Sequence, residues 1–285
     1  MPPTQNETTP TIHDQSKLQP YRDFPKKRTI LIIVFAILVT AFICFVAVAF
    51  IAKDTTPDQK LYNFKTNIVE PVIRATKLSD DSELRYTSSL LEKRVAELLT
   101  LYSDKATSTP EVLDKLASLT QQHTGDSVWI IQNTSTLTPQ EKILALAKIS
   151  NTARAFETLT DVSEEFASIK DYSGEIQNVS QDGLKAEVER FASTSDATSI
   201  TTFIGEQISV VGEEIKTVAQ NSRAQKLALA RIDEAGEYIT DSKFAEAIYA
   251  LMRARQAIAV DTYLYASERE GTGDTVDLEN IPEGS

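Results

Sequence analysis

From Thr29 to Ala52 the chain reads TILIIVFAILVTAFICFVAVAFIA, 24 residues without a charge, a proline or a glycine. At about 1.5 Å of rise per residue such a helix reaches roughly 36 Å, enough to cross a hydrocarbon core of about 30 Å with some tilt. A core helix of a soluble protein carries a polar stripe, whereas only Thr40 and Cys44 are even mildly polar in this run. The run is therefore read as a transmembrane helix, with the lipid bilayer as the first partner of the chain.

Its flanks set an orientation. Lys17, Arg22, Lys26, Lys27 and Arg28 precede it, while Lys53 and Lys60 follow it mixed with Asp54 and Asp58. The basic excess on the N-terminal side predicts a single-pass cell-membrane protein with residues 1–28 cytoplasmic and the C-terminal domain extracytoplasmic. The competing reading is a signal peptide cleaved after Ala49, at the small-x-small site Ala47-Val48-Ala49. The apolar run exceeds the usual ~7–15 residues of a signal core, which favours a retained anchor.

Charge divides along the same line. Residues 1–28 hold five basic and three acidic side chains, a net of +2, and the whole chain is −12, so everything after Arg28 carries −14. A domain this acidic is repelled by phosphate backbones, which excludes nucleic acid as a partner. The single cysteine, Cys44, lies inside the apolar run. The outer part thus has no internal disulfide to draw on, and its length is sufficient to build a core without one.

The fold class predicted is all-α: a single transmembrane helix followed by an extracytoplasmic antiparallel helical bundle or stacked helical hairpins. Residues 1–28 read as a disordered cytoplasmic tail, 29–52 as the transmembrane helix and 53–59 as a linker. Residues 60–267 form the helical domain, with a sub-boundary near 124–137, and 268–285 an acidic disordered tail.

Within the domain, Leu61, Phe64, Ile68 and Val72 share one helical face, interrupted by Pro71, which should kink or divide the helix. Ser79-Asp80-Asp81-Ser82 caps a second helix with Leu84, Leu91, Val95, Leu98 and Tyr102 at helical intervals. Its charges Glu83, Arg85, Glu92, Lys93 and Glu97 read as a solvated face, with Asp81–Arg85 and Lys93–Glu97 spaced for pairing. A shorter helix opens at Thr109-Pro110 and ends near His123-Thr124-Gly125, and Ser127–Ile131 reads as a strand or an irregular apolar plug.

Thr138-Pro139-Gln140-Glu141 combines an N-cap, a first-turn proline and a capping-box glutamate. The apolar period that follows predicts a helix running to Lys170, closed by Tyr172-Ser173-Gly174. A short helix follows Ser180 and another opens near Ser195-Asp196, where Gly205 and Gly212 suggest close approach of a neighbour. Residues 224–239 and 243–264 suggest an antiparallel pair joined at Thr240-Asp241-Ser242.

Over residues 224–260 this pair resembles one tetratricopeptide repeat. Ser242-Lys243-Phe244-Ala245-Glu246-Ala247-Ile248, then Leu251 and Ala254, is similar to its turn and second helix, with Ala228, Ala235 and Tyr238 on the first. Asp241-Ser242 stands where the family has a glycine before the turn aromatic. The resemblance covers about one repeat of ~34 residues and implies protein binding; no second copy lies upstream, and a solenoid needs about three.

No reactive constellation emerges. His13 and His123 are the only histidines, and neither has the neighbouring His or Cys of a zinc site. His123 and Asp126 have the spacing of a base and its orienter, but no Gly-x-Ser-x-Gly elbow accompanies them. A solvent-facing His123 at a helix end is the preferred reading. Glu164-Glu165 and Glu213-Glu214 diverge by about 100° around a helix. Phosphate-binding, dinucleotide and calcium loops are absent. No catalytic, cofactor-binding or metal-binding residue is therefore assigned, and no cofactor is expected. The expectation is a membrane-anchored surface interaction or scaffold protein that binds a protein or cell-envelope component. An envelope-acting hydrolase with a carboxylate-based site and a single-pass sensor or regulator are the alternatives.

Overall fold

The computed structural model describes residues 24–53, 55–103, 109–220 and 222–269. The two predicted disordered tails lie largely outside these residues. The chain separates into two compact units, Met1–Asp54 and Thr55–Ser285, and among the described residues all regular structure is helical.

The first unit is one helix, α1 (Phe24–Ala52), which begins five residues before the apolar run and takes Pro25 into its first turn, where a missing N–H costs nothing. From Thr29 to Ala52 it is long and apolar enough to cross a membrane. Large side chains stand exposed around it, among them Leu31, Phe35, Phe42 and Phe50.

The second unit opens with turns in which Thr55 and Pro57 are buried. Three short pieces follow: α2 (Tyr62–Phe64), a π-helical stretch (Lys65–Val69) and α3 (Glu70–Ala75). The helix is divided at Pro71 as the sequence predicts, with the wide π turn placed just before the residue that cannot donate. The predicted apolar face exists, but Ile68 and Val72 on it are exposed, while Tyr62, Lys65, Thr66, Val69 and Glu70 are buried.

Seven longer helices form the body: α4 (Asp80–Ser103), α5 (Pro110–Asn133), α6 (Pro139–Val162), α7 (Lys170–Thr194), α8 (Ala197–Glu214), α9 (Arg223–Thr240) and α10 (Phe244–Arg269). Two apolar clusters show how they run. Leu91 of α4, Ile143 and Leu146 of α6 and Ile248 and Leu251 of α10 enter one cluster. Val95 and Leu98, Phe156 and Leu159, and Leu264 from later in the same helices enter the other. In α5 and α7 the order is reversed: Leu116 and Ile176 lie in the second cluster, Ile131 and Leu184 in the first. Sequence neighbours are therefore antiparallel. Polar ties agree, with Ser127 donating to the Thr87 hydroxyl at 3.1 Å and Thr160 to the Ser173 hydroxyl at 2.8 Å.

Several local signals do what their chemistry requires. Thr138 and Glu141 form the reciprocal capping box of α6, and Asp196 and Ser222 cap α8 and α9. The turn after α9 is a Schellman motif: Ser242 N–H reaches the Ile239 carbonyl at 3.0 Å and Lys243 N–H the Tyr238 carbonyl at 2.8 Å. Ser242 takes the left-handed conformation there, φ 58°. The hairpin of α9 and α10 forms as expected, but α10 packs on α6, α7 and α8 as well as on α9.

Other expectations are corrected. Residues 127–131 are neither strand nor plug, because α5 runs unbroken to Asn133 and the chain does not divide near 124–137. Its buried stripe there is Thr120, His123, Thr124 and Ser127, which a search for apolar residues reads as an end. Thr120 and Thr124 satisfy their hydroxyls on the carbonyls four residues back, at 2.7 and 2.9 Å, so burial leaves them paired. The helix predicted to reach Lys170 stops at Val162, where Ser163 turns extended. A 3₁₀ stretch, Glu164–Ile169, then keeps Phe166 and Ile169 in the core. α7 passes through Gly174 without ending.

The close helix approach is at Gly183 and not at Gly205 or Gly212, neither of which has a neighbour within 4 Å of a built Cβ. At Gly183 a Cβ would stand 2.8 Å from Val128 Cγ1, and valine is stiff at χ1. Gly183→Ala is expected to destabilise the bundle by about 1–3 kcal/mol despite the better helix former. Gly205→Ala should stabilise it by up to about 1 kcal/mol. Thermal unfolding of the detergent-solubilised chain, followed by circular dichroism, checks both signs.

Candidate functional site

Arg94 is the largest fully buried side chain of the protein's described residues, with 0 % exposure. It continues the inward stripe of α4, one turn after Leu91 and one before Leu98. Its guanidinium donates through Nη2 to the Glu70 carboxylate, and through Nη1 to the Tyr62 hydroxyl and to Glu97 Oε2 at 2.6 Å. The Tyr62 hydroxyl donates in turn to Glu97 at 2.7 Å. Lys65 Nζ reaches the other Glu97 oxygen at 2.6 Å and the Thr55 carbonyl at 2.8 Å. Two cations thus meet two carboxylates, with the Tyr62 ring beneath Lys65 and Arg94 at 5.2 and 5.6 Å from its centroid.

The cluster fastens the 62–75 segment to the bundle. Further along, Arg74 forks between Glu83 of α4, at 2.7 and 2.8 Å, and Asp126 of α5. Lys115 of α5 donates to Asn63 and, at 3.2 Å, to Asn67. Tyr86 donates to the Glu70 carbonyl at 3.1 Å. The segment therefore lies along α5 in the same direction, Asn67 beside Lys115 and Arg74 beside Asp126.

Burial governs the electrostatics. It pushes the Tyr62 hydroxyl far up, helped by Glu97 against the opposing Arg94, so Tyr62 stays a donor. Tyr86 is pushed up to about 12 by burial and by Glu70. Glu70 lies above the usual carboxylate range because burial outweighs the pull of Arg94 and Lys65. For Arg94 burial acts downward, yet Glu97, Tyr62 and Glu70 together carry it above the ordinary value and keep it charged.

His123 corrects another expectation. It is buried, not solvent-facing, and neither ring nitrogen has a hydrogen-bond partner. Asp126, its supposed orienter, is bound by Arg74 instead. Burial, then Arg94 and Arg74, lowers the His123 pKa to about 3, so the ring is neutral. Glu70 Oε2 and Arg94 Nε are likewise unpaired. The predicted solvated face of α4 is corrected too: Asp81–Arg85 pairs at 3.0 Å on the surface, but Glu97 turns inward to Lys65 and Arg94. Arg94 had a signal in the sequence, since Leu84, Thr87, Leu91, Arg94, Leu98 and Leu101 step by three and four.

Chemically the cluster sets two cations against two carboxylates in the interior, which suits a clamp, with Glu70 Oε2 the carboxylate oxygen left unpaired. Among the described residues no group of three His, Cys, Asp or Glu side chains is placed to hold a metal. The open hollow where α6 and α8 begin, about 450 Å³, is lined by Thr138, Glu141, Thr198, Thr202 and Glu206 among others. Glu141 is committed to its capping box, whose Thr138 hydrogen bonds hold its carboxyl below the usual range. Comparison with protein-family models, with curated proteins and with solved structures finds no match to this chain.

Proposed function

We propose that the protein is a single-pass membrane protein whose helical bundle is an extracytoplasmic interaction or scaffold domain, the basic N-terminal residues lying in the cytoplasm. The observation that carries this is α1, whose apolar side chains stand exposed around the helix from Ile30 to Ile51, with only Phe45 and Ala49 partly covered. Such a surface is stable in hydrocarbon and not in water. The bundle adds a buried ion cluster rather than a pair of carboxylates facing an opening, which supports binding over hydrolysis.

Two measurements test the reading. The intact chain should stay with membranes through an alkaline carbonate wash, and its mass should include residues 29–52; a mature form starting after Ala49 would make α1 a signal sequence. Protease added outside cells with a permeable outer layer should degrade the bundle and spare the first 28 residues. Degradation confined to the N-terminal side would reverse the orientation.

A further inference from the structure

The 62–78 segment departs from an ordinary amphipathic helix: Lys65 and Glu70 are buried, while its aliphatic residues other than Val69 face out. Exposure is 42 % at Ile68, 49 % at Val72, 37 % at Ile73 and 95 % at Leu78. Trp129, the sole tryptophan, is 65 % exposed. It lies on the stripe of α5 that the segment covers at Lys115 and Asp126, one turn past Asp126 and just beyond the end of α3. Trp129 thus stands on the side of the bundle that the segment occupies.

We infer that this strip docks on the lipid surface, an inference that rests on the membrane reading above. The first argument is tether length. Nine residues lie between Ala52 and Tyr62, and fully extended the ten steps reach only roughly 35 Å, which keeps the strip near the bilayer from which α1 emerges. The second is chemistry: an aliphatic strip with a tryptophan and lysine edges is the composition that settles at the headgroup boundary. Lys60 is exposed earlier in the same stretch, and the Lys77 amine lies over the Tyr86 ring, 5.4 Å from its centroid. The third is charge. Lys65 and Arg74 are taken up by Glu97, Glu83 and Asp126, and Lys60 and Lys77 add basic charge to this stretch of a domain that is otherwise strongly acidic. This favours lipid phosphate over a second copy of the same acidic bundle.

Trp129 is its own reporter. The full chain is assembled into phosphatidylcholine nanodiscs, with and without lipid brominated high on the acyl chains. Brominated lipid should quench about half or more of the Trp129 emission, and aqueous iodide should quench little. Replacing three exposed residues together, Ile68→Ser, Val72→Ser and Leu78→Ser, should reverse that pattern with the helical content unchanged. If a chain that resists carbonate extraction shows Trp129 open to iodide and untouched by brominated lipid, docking is overturned while the anchor stands. Shielding from iodide without bromolipid quenching, increasing with protein-to-lipid ratio, overturns it in favour of a second copy. A chain that washes out in carbonate removes the anchor and the docking together.

Discussion

Replacing Arg94 by methionine is expected to cost about 3–5 kcal/mol of stability, the scale of a buried ion pair broken from one side. Arg94 is fully buried and holds both Glu70 and Glu97. Without it Glu97 keeps Lys65, but Glu70 is left in the interior with only the Tyr86 bond to its backbone. The methionine is close in volume to the lost stem, so the loss is electrostatic rather than a cavity. A second substitution separates the two causes: Arg94→Met with Glu70→Met removes one cation and one anion, leaving Lys65 and Glu97 balanced. Most of the stability should return, because a buried pair replaced whole by apolar side chains is often neutral. Arg85→Met removes the exposed partner of Asp81 and should change nothing measurable. Urea unfolding of the solubilised chain gives the energies, and proteolysis within residues 55–77 reports whether the segment has come off. If the double variant is no better than the single one, charge pairing is not what holds the segment.

That cluster marks where legibility ended. The N-caps of α6 and α8, the division at Pro71 and the Asp241-Ser242 turn were readable because each depends on a few adjacent residues whose side chains or torsions act locally. The apolar period gave the existence of most helices for the same reason. It failed where a buried stripe is polar. α5 continues through His123, Thr124 and Ser127 because hydroxyls find backbone carbonyls within the helix, a solution invisible to an apolar count. Arg94 sat in the right register between Leu91 and Leu98, but its burial depends on Tyr62 and Glu70, 32 and 24 residues away. Charge at an inward position becomes interpretable only once its partner's place is known. Gly174, Gly183, Gly205 and Gly212 are alike in sequence, and only packing distinguishes Gly183.

Acid sensitivity is the other large expected effect, and its sign follows from His123. Burial, then Arg94 and Arg74, lowers its pKa from 6.5 to about 3 in the folded protein. Between these values the unfolded chain binds a proton that the folded one does not. The stability His123 permits is therefore complete above about pH 6.5 and is lost as pH falls toward 3, at about 1.4 kcal/mol per pH unit. Glu70 runs the other way: its pKa is raised, chiefly by burial, so the folded state takes up that proton more readily and acid does not weaken the protein through it. His123→Leu removes an unpaired buried ring and should be neutral or stabilising by about 1–3 kcal/mol at pH 7.5. The decisive quantity is the gap between variant and native protein. It should widen by about 2 kcal/mol between pH 6.5 and pH 5, read from unfolding midpoints at each pH. A gap that stays constant across this range would mean that His123 finds a partner or water on folding. With the histidine protonated beside Arg94 and Arg74, the 62–75 segment should be the first part of the bundle to exchange its amide hydrogens, ahead of α6 and α10.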